Sequence, residues 1–153
     1  MWSTSSPVID CSRYGLNNSP DNTSFLRRYA RRLLRDVREG GTARALPILR
    51  RLIAQKITPE LRLQELYAVR NSIQLKHMLH LLARELGFAA WERCKDEIDR
   101  YPASLLDRYR LDLGMYGDYQ QNWFASRDLA DAWQAEHGGY LIQYGRQVVA
   151  ILR

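Results

Sequence analysis

Cysteine is scarce in this 153-residue sequence: only Cys11 and Cys94 occur. Cys11 falls in a polar N-terminal stretch and Cys94 on an apolar stripe. A disulfide framework is therefore not expected, and a reducing cytoplasm is the expected setting. Long apolar runs are also missing. No stretch approaches the roughly 18 consecutive apolar residues of a membrane span, so no membrane partner is expected. The first 24 residues contain no hydrophobic core of a secretory leader, and no signal peptide is expected. Lysine is rare, three residues against 20 arginines. No Gly-rich phosphate loop, no Ser/His/Asp order and no paired catalytic carboxylates stand out, with Asp112, Asp118 and Asp128 scattered among turns and caps. The residues thus lean away from an enzyme, and no cofactor and no metal site is expected.

What is present suits a folded core: 46% of residues are hydrophobic and 26% charged. The centre is Ile73–Ile98. Leu75, Met78, Leu79, Leu82 and Leu86 recur at helical spacing, Gly87 supplies a helix-ending residue, and Phe88, Trp91, Cys94 and Ile98 begin a second apolar stripe. Upstream, residues 1–23 lack periodicity and read as a flexible arm. Thr23 or Ser24 can cap a helix whose buried stripe is Phe25, Leu26, Tyr29, Ala30, Leu33, Leu34 and Val37. Gly40-Gly41 ends it. Thr42 can cap a second helix, with Leu46, Leu49, Leu52 and Ile53 inward and Pro47 near its first turn. Thr58-Pro59-Glu60 reads as the start of a third helix carrying Leu63, Leu66 and Tyr67, and Ser72 as the cap of the central one.

Pro102 closes the helix that follows Gly87, and a short helix with Leu105, Leu106 and Tyr109 inward is expected before Leu113. The period then changes. Gln120–Ala125 reads as a strand, Ser126 as the cap of a helix with Leu129, Ala130 and Trp133 inward, and the runs around Gly145-Arg146 as a hairpin. The expected fold is α+β and predominantly helical: a bundle of five or six helices in residues 24–113, and a strand–helix–hairpin subdomain with a small antiparallel sheet in residues 114–153, packed on the helices.

The run Leu75-Lys76-His77 through Ala83-Arg84-Glu85-Leu86-Gly87-Phe88-Ala89-Ala90-Trp91 resembles a segment of bacterial glyoxalase-related proteins and of the N-terminal helical regions of bacterial ankyrin-repeat proteins. Asn122-Trp123-Phe124-Ala125 with Gly138–Tyr144 is similar to the ends of small bacterial proteins. The first resemblance implies packing roles for Leu82, Gly87, Phe88 and Trp91 and no activity. The chain has neither room for a metal-binding glyoxalase domain nor ankyrin repeats.

The net charge of +6 is concentrated. Residues 24–56 hold nine Arg and one Lys against Asp36 and Glu39, whereas residues 57–100 balance. Arg27, Arg28, Arg31, Arg32, Arg35 and Arg38 form the outer face of the first helix, with Arg50 and Arg51 on the second. These eight are the candidate partner-binding residues, for an acidic protein or a nucleic acid; the alternative is a solvated face whose stems cover apolar edges. No aromatic residue interleaves there, which disfavours stacked single strands.

Other features read as architecture. Ala83–Gly87 partly matches a DNA-binding helix-turn-helix, but the following helix opens Ala89-Ala90-Trp91-Glu92, poor in groups for bases or phosphates. His77 and His80 are spaced to share a metal, with no third ligand at diagnostic spacing, and Cys94 fills core space more readily than it serves as a nucleophile. The expected function is a small non-enzymatic cytoplasmic protein that binds another protein, of inhibitor, immunity or adaptor type. The alternative is a nucleic-acid binder using the arginine face. A second alternative is an enzyme whose site is not visible in sequence.

Overall fold

The computed structural model describes residues 1–7, 21–60 and 62–153. These residues form a predominantly helical α+β protein with a small C-terminal antiparallel sheet. In chain order the elements are α1 (Asn22–Glu39), α2 (Gly41–Ala54), α3 (Leu63–Ala68), α4 (Leu75–Glu85), α5 (Trp91–Glu97), α6 (Asp107–Asp112), β1 (Gln120–Phe124), α7 (Arg127–His137), β2 (Tyr140–Tyr144) and β3 (Gln147–Leu152). They fall into two compact units. One contains residues 21–101; the other contains Pro102–Arg153 with the described N-terminal residues. The division therefore lies at Pro102, and α6 groups with the sheet although the sequence places it with the helices before Leu113.

In the first unit, α1 packs on α2 and α4. The expected α1 stripe is buried apart from Leu34, which is half-buried. On α2 the buried set is Ala45, Ile48, Leu49 and Leu52, so Leu46 and Ile53 lie on the flanks of the apolar face. On α4, Met78, Leu81, Leu82 and Ala83 are buried, while Leu75, Leu79 and Leu86 are partly covered. An apolar face packed against two neighbouring helices is wider than a single stripe.

The glycine hinge is as the sequence expects. Gly87 has φ +93°, Phe88 N–H donates to the Ala83 carbonyl (2.9 Å) and Gly87 N–H to that of Arg84 (3.1 Å). This pair of bonds satisfies the carbonyls left open at a helix end. Beyond it, Cys94 and Ile98 are fully buried and Phe88 and Trp91 half-buried.

The caps differ from expectation. Asp21, rather than Thr23 or Ser24, starts α1: its carboxylate accepts from Ser24 N–H (2.7 Å), and the Ser24 hydroxyl together with that N–H holds its pKa below the usual value. Gly40 stands at the N-cap of α2, with Thr42 already helical, and α3 begins at Leu63 rather than at Thr58-Pro59-Glu60. Gln74, not Ser72, opens α4. Asn22 is buried and its amide donates to the Ile98 (2.9 Å) and Tyr101 (3.0 Å) carbonyls, tying the start of α1 to the chain end of the unit.

In the second unit the sheet order is β1-β3-β2, both pairings antiparallel. Central β3 is paired on both edges, and Val148, Val149, Ala150 and Ile151 are all buried. Such a continuous apolar run is expected of a strand covered on both faces. The hairpin turns at Gly145 (φ +61°), and Ser126 caps α7 by accepting from Leu129 N–H. On α7 only Ala130 is buried; Leu129 is 57% exposed. Of the expected flexible arm, Trp2 is paired: its N–H donates to the His137 carbonyl (2.7 Å) and its carbonyl accepts from Gly139 N–H (3.2 Å). A Cβ at Gly138 would lie 1.9 Å from the Trp2 carbonyl oxygen, so only glycine permits this approach. Residues 21–23 already belong to the start of α1, and residues 8–20, with Cys11, lie outside the described residues.

Replacing Asn22 with alanine removes the side-chain donor from both carbonyls, of which that of Ile98 keeps the Tyr101 N–H (3.1 Å). Asn22→Ala is expected to destabilise the protein by about 2 kcal/mol, read as a lower midpoint in urea unfolding with an unchanged slope.

Candidate functional site

The sequence-expected arginines do not behave alike. At about 100° per residue, the six on α1 cover an arc of about 140° opposite the buried stripe. Arg27, Arg31, Arg32 and Arg35 are exposed, and no ion pair or side-chain hydrogen bond holds them among the described residues. Arg28 is half-buried. Arg38 lies in the last turn of α1 and its Nη2 donates to the Ile73 carbonyl (2.5 Å). Beside them is a shallow notch of about 210 Å³, whose apolar lining is Leu34 and Leu75 and whose rim is Arg31, Arg35, Arg38 and Glu39.

On α2, Arg50 is exposed but Arg51 is not a free cation. Its Nε and Nη2 donate to the two oxygens of Glu85 (2.9 and 2.6 Å), and its Nη1 donates to the Tyr29 hydroxyl (3.1 Å). The side chains of Arg51 and Glu85 are 23% and 7% exposed. The fork-to-fork bonds and the facing Tyr29 hold Arg51 firmly charged against the cost of burial. Arg51 is therefore a tie between helices and is removed from the partner-binding set. Successive helical residues point about 100° apart, so Arg50 turns outward while Arg51 turns toward α4.

The remaining sequence candidates are structural. His77 Nδ1 accepts from Gln74 N–H (2.8 Å), closing the start of α4. Burial and neighbouring Lys76 depress its pKa. Among the described residues no group of three His, Cys, Asp or Glu side chains could hold a metal. Helix α5 pairs its own charges, Lys95 with Glu92 (2.9 Å) and Arg93 with Glu97 (3.8 Å), which leaves a poor surface for phosphates. Cys94 is fully buried, and burial with nearby Asp99 and Glu97 pushes its thiol up to about 11. His137 stacks on Trp133 at the end of α7, with Nδ1 3.0 Å from the Trp133 carbonyl.

A second site was not foreseen. In the unit containing the sheet, a cavity of about 470 Å³ is lined by Ser6, Pro102, Asp107, Arg110, Tyr116 and Tyr140 among others. Asp107, at the start of α6, is only 5% exposed. One of its oxygens accepts from Arg110 Nη1 (2.9 Å) and the other from the Tyr140 hydroxyl. Arg110 Nη1 also donates to the Ala103 carbonyl (2.6 Å), which fixes the guanidinium. Tyr116 is fully buried, and its hydroxyl faces the same carboxylate. Burial and Asp107 raise both phenols, Tyr140 to about 12 and Tyr116 further, so both remain protonated donors at neutral pH. The only local signal in the sequence is the Asp107-x-x-Arg110 spacing, which also describes an ordinary surface pair. Tyr140 arrives from 33 residues away.

Comparison with family models, with curated proteins and with solved structures gives no match. The functional reading therefore rests on geometry.

Two outcomes follow. Arg51→Ala leaves the mostly buried Glu85 carboxylate without its cation and is expected to cost about 3 kcal/mol, whereas Arg31→Ala and Arg35→Ala stay within about 0.5 kcal/mol of the parent; denaturant titration separates the two classes. Because folding raises the Cys94 pKa from 9.0 to about 11, its contribution to stability is complete below pH 9 and is lost as pH rises toward 11. In a Cys11→Ser background, labelling of Cys94 at pH 8 should be slow in the native protein and fast in urea, and Cys94→Ala should flatten the alkaline loss of stability.

Proposed function

We propose that this protein acts by binding another protein, in an inhibitor-, immunity- or adaptor-type role, through the arginine face of α1. The observation that carries this reading is the pairing of free exposed guanidinium groups, at Arg31 and Arg35, with an apolar notch floored by Leu34 and Leu75. Guanidinium forks suit carboxylates in a planar, two-point geometry. A notch with two leucines beside them suits a protruding aliphatic side chain, which an acidic protein segment offers and a phosphate backbone does not. A cytoplasmic setting is part of the same proposal, supported by Cys94 being a buried free thiol and by the lack, among the described residues, of a helix long and apolar enough to cross a membrane.

The test measures fluorescence anisotropy with two labelled probes, a Glu-rich peptide carrying one central leucine and a mixed-sequence DNA duplex. The peptide is expected to bind, to weaken about tenfold in Arg31→Glu and Arg35→Glu, and to weaken again when its leucine becomes serine. Tight binding of the duplex with steep salt dependence, and no binding of the peptide, would replace this reading with the nucleic-acid one.

A further inference from the structure

The sheet of the second unit leaves one edge without protection. In the order β1-β3-β2, strand β1 pairs with β3 on one side, and among the described residues no strand pairs with its other side. An open edge presents a row of N–H and C=O groups that another strand can take up, and proteins usually blunt it with charge, proline or a bulge. β1 has none of these. Its residues, Gln-Gln-Asn-Trp-Phe, carry no charge and no proline, and they run in unbroken register against Val148–Leu152. Gln120, Gln121 and Trp123 are exposed. Trp123 meets Tyr144 edge to face (ring centroids 5.7 Å) and still leaves 43% of its surface open. The other edge, β2, is held to α6, where Asp107 and Asp112 accept from the Tyr140 and Tyr144 hydroxyls.

What pairs with β1 follows from its own residues and from those that flank it. Successive side chains alternate between faces, so Gln121 and Trp123 share one face and Gln120, Asn122 and Phe124 the other. A two-fold axis at Asn122 lays β1 antiparallel to β1 of a second copy. Gln121 then faces Trp123 of the copy, Gln120 faces Phe124, and Asn122 faces itself, so no charge is brought opposite a like charge. Beyond the strand, Asp118 lies four residues before Asn122 and Arg127 five residues after it, both exposed. The antiparallel arrangement sets Asp118 of each copy near Arg127 of the other, an opposite pair at both ends. A parallel one would set Asp118 near Asp118 and Arg127 near Arg127. The same two-fold operation on β2 gives no such match, because Arg146 would meet Gly138 of the copy.

We propose that β1 is a self-pairing edge: two copies of this protein join antiparallel through Gln120–Phe124 and make one continuous sheet. One short strand and a tryptophan from each copy cover less than the roughly 1,200 Å² of a standard interface, so the dimer forms only as concentration rises. The pairing is independent of the arginine face of α1.

The test is sedimentation velocity of the full chain from about 10 μM to about 500 μM, the range in which small interfaces assemble, with amide NMR spectra at both ends of that range. The parent is expected to pass from monomer to dimer, and the amides of Gln120–Phe124 to shift while those of β2 and α1 stay. Asp118→Arg and Arg127→Asp should each weaken the dimer about tenfold, since two opposite pairs become like pairs. Mixed in equal amounts, these two variants should dimerise about as well as the parent, because each then meets its opposite charge in the other chain. The proposal is overturned by a monomer at every concentration, by concentration-dependent shifts confined to β2 or α1, or by a mixture that dimerises no better than either variant alone.

Discussion

The helical unit depends on one buried ion pair. Arg51 from α2 meets Glu85 from α4 through two bonds and Tyr29 from α1 through a third, so one guanidinium fixes three helices. Hydrophobic contact alone would leave each helix some freedom to rotate and slide, since oily faces are tolerant of small shifts. A planar fork with a matching carboxylate is not tolerant. Removing either charge leaves the other stranded away from water, which is costly, while the intact pair adds modestly to stability. Its main effect is on register. With Tyr29 fixed inward, the opposite side of α1 is fixed outward, and the arginines there are presented rather than merely exposed.

That presentation carries a cost. Arg27, Arg31 and Arg35 stand at successive i,i+4 positions on one helix, and like charges at this spacing repel by a few tenths of a kcal/mol per pair. Acids at the intervening positions would remove the repulsion, as they do on α5, where Glu92 and Glu97 pair with Lys95 and Arg93. The apolar stripe of α1 is strong enough to hold the helix in spite of it. Long stems also cover apolar edges, but lysine or glutamine stems would do so equally, and neither explains a notch lined by Leu34 and Leu75 beside the guanidinium groups.

Much of this architecture is legible in the sequence because the signals are local. Gly87 ends α4, Ser126 begins α7, Gly145 turns the hairpin and Pro102 closes the helical stretch before it, each through a local preference that a single residue imposes, whereas the division of the chain at Pro102 is not legible. Caps are less legible: Asp21, Ser24, Gln74 and Ser72 all carry an oxygen that can accept at a helix start, and tertiary contacts such as those of Asn22 help decide among them. Arg51 shows the same limit within the candidate site. It sits beside Arg50 in an Arg-rich segment, and only the position of Glu85, 34 residues away, makes one a tie and the other a surface charge.

The Asp107 cluster is the extreme case. Asp107 and Arg110 at i,i+3 on a short helix look like a solvated pair, worth little by itself. Burial changes their character, because a carboxylate withdrawn from water must be held by donors, and here they come from the same helix turn and from β2. Tyr116 turns its hydroxyl to the same carboxylate from the core, and burial together with that charge keeps the phenol protonated. The two clusters differ in kind: the face of α1 is a surplus of one charge in the open, whereas Asp107 and Arg110 are a balanced pair under cover, held by bonds that reach from one helix turn to β2.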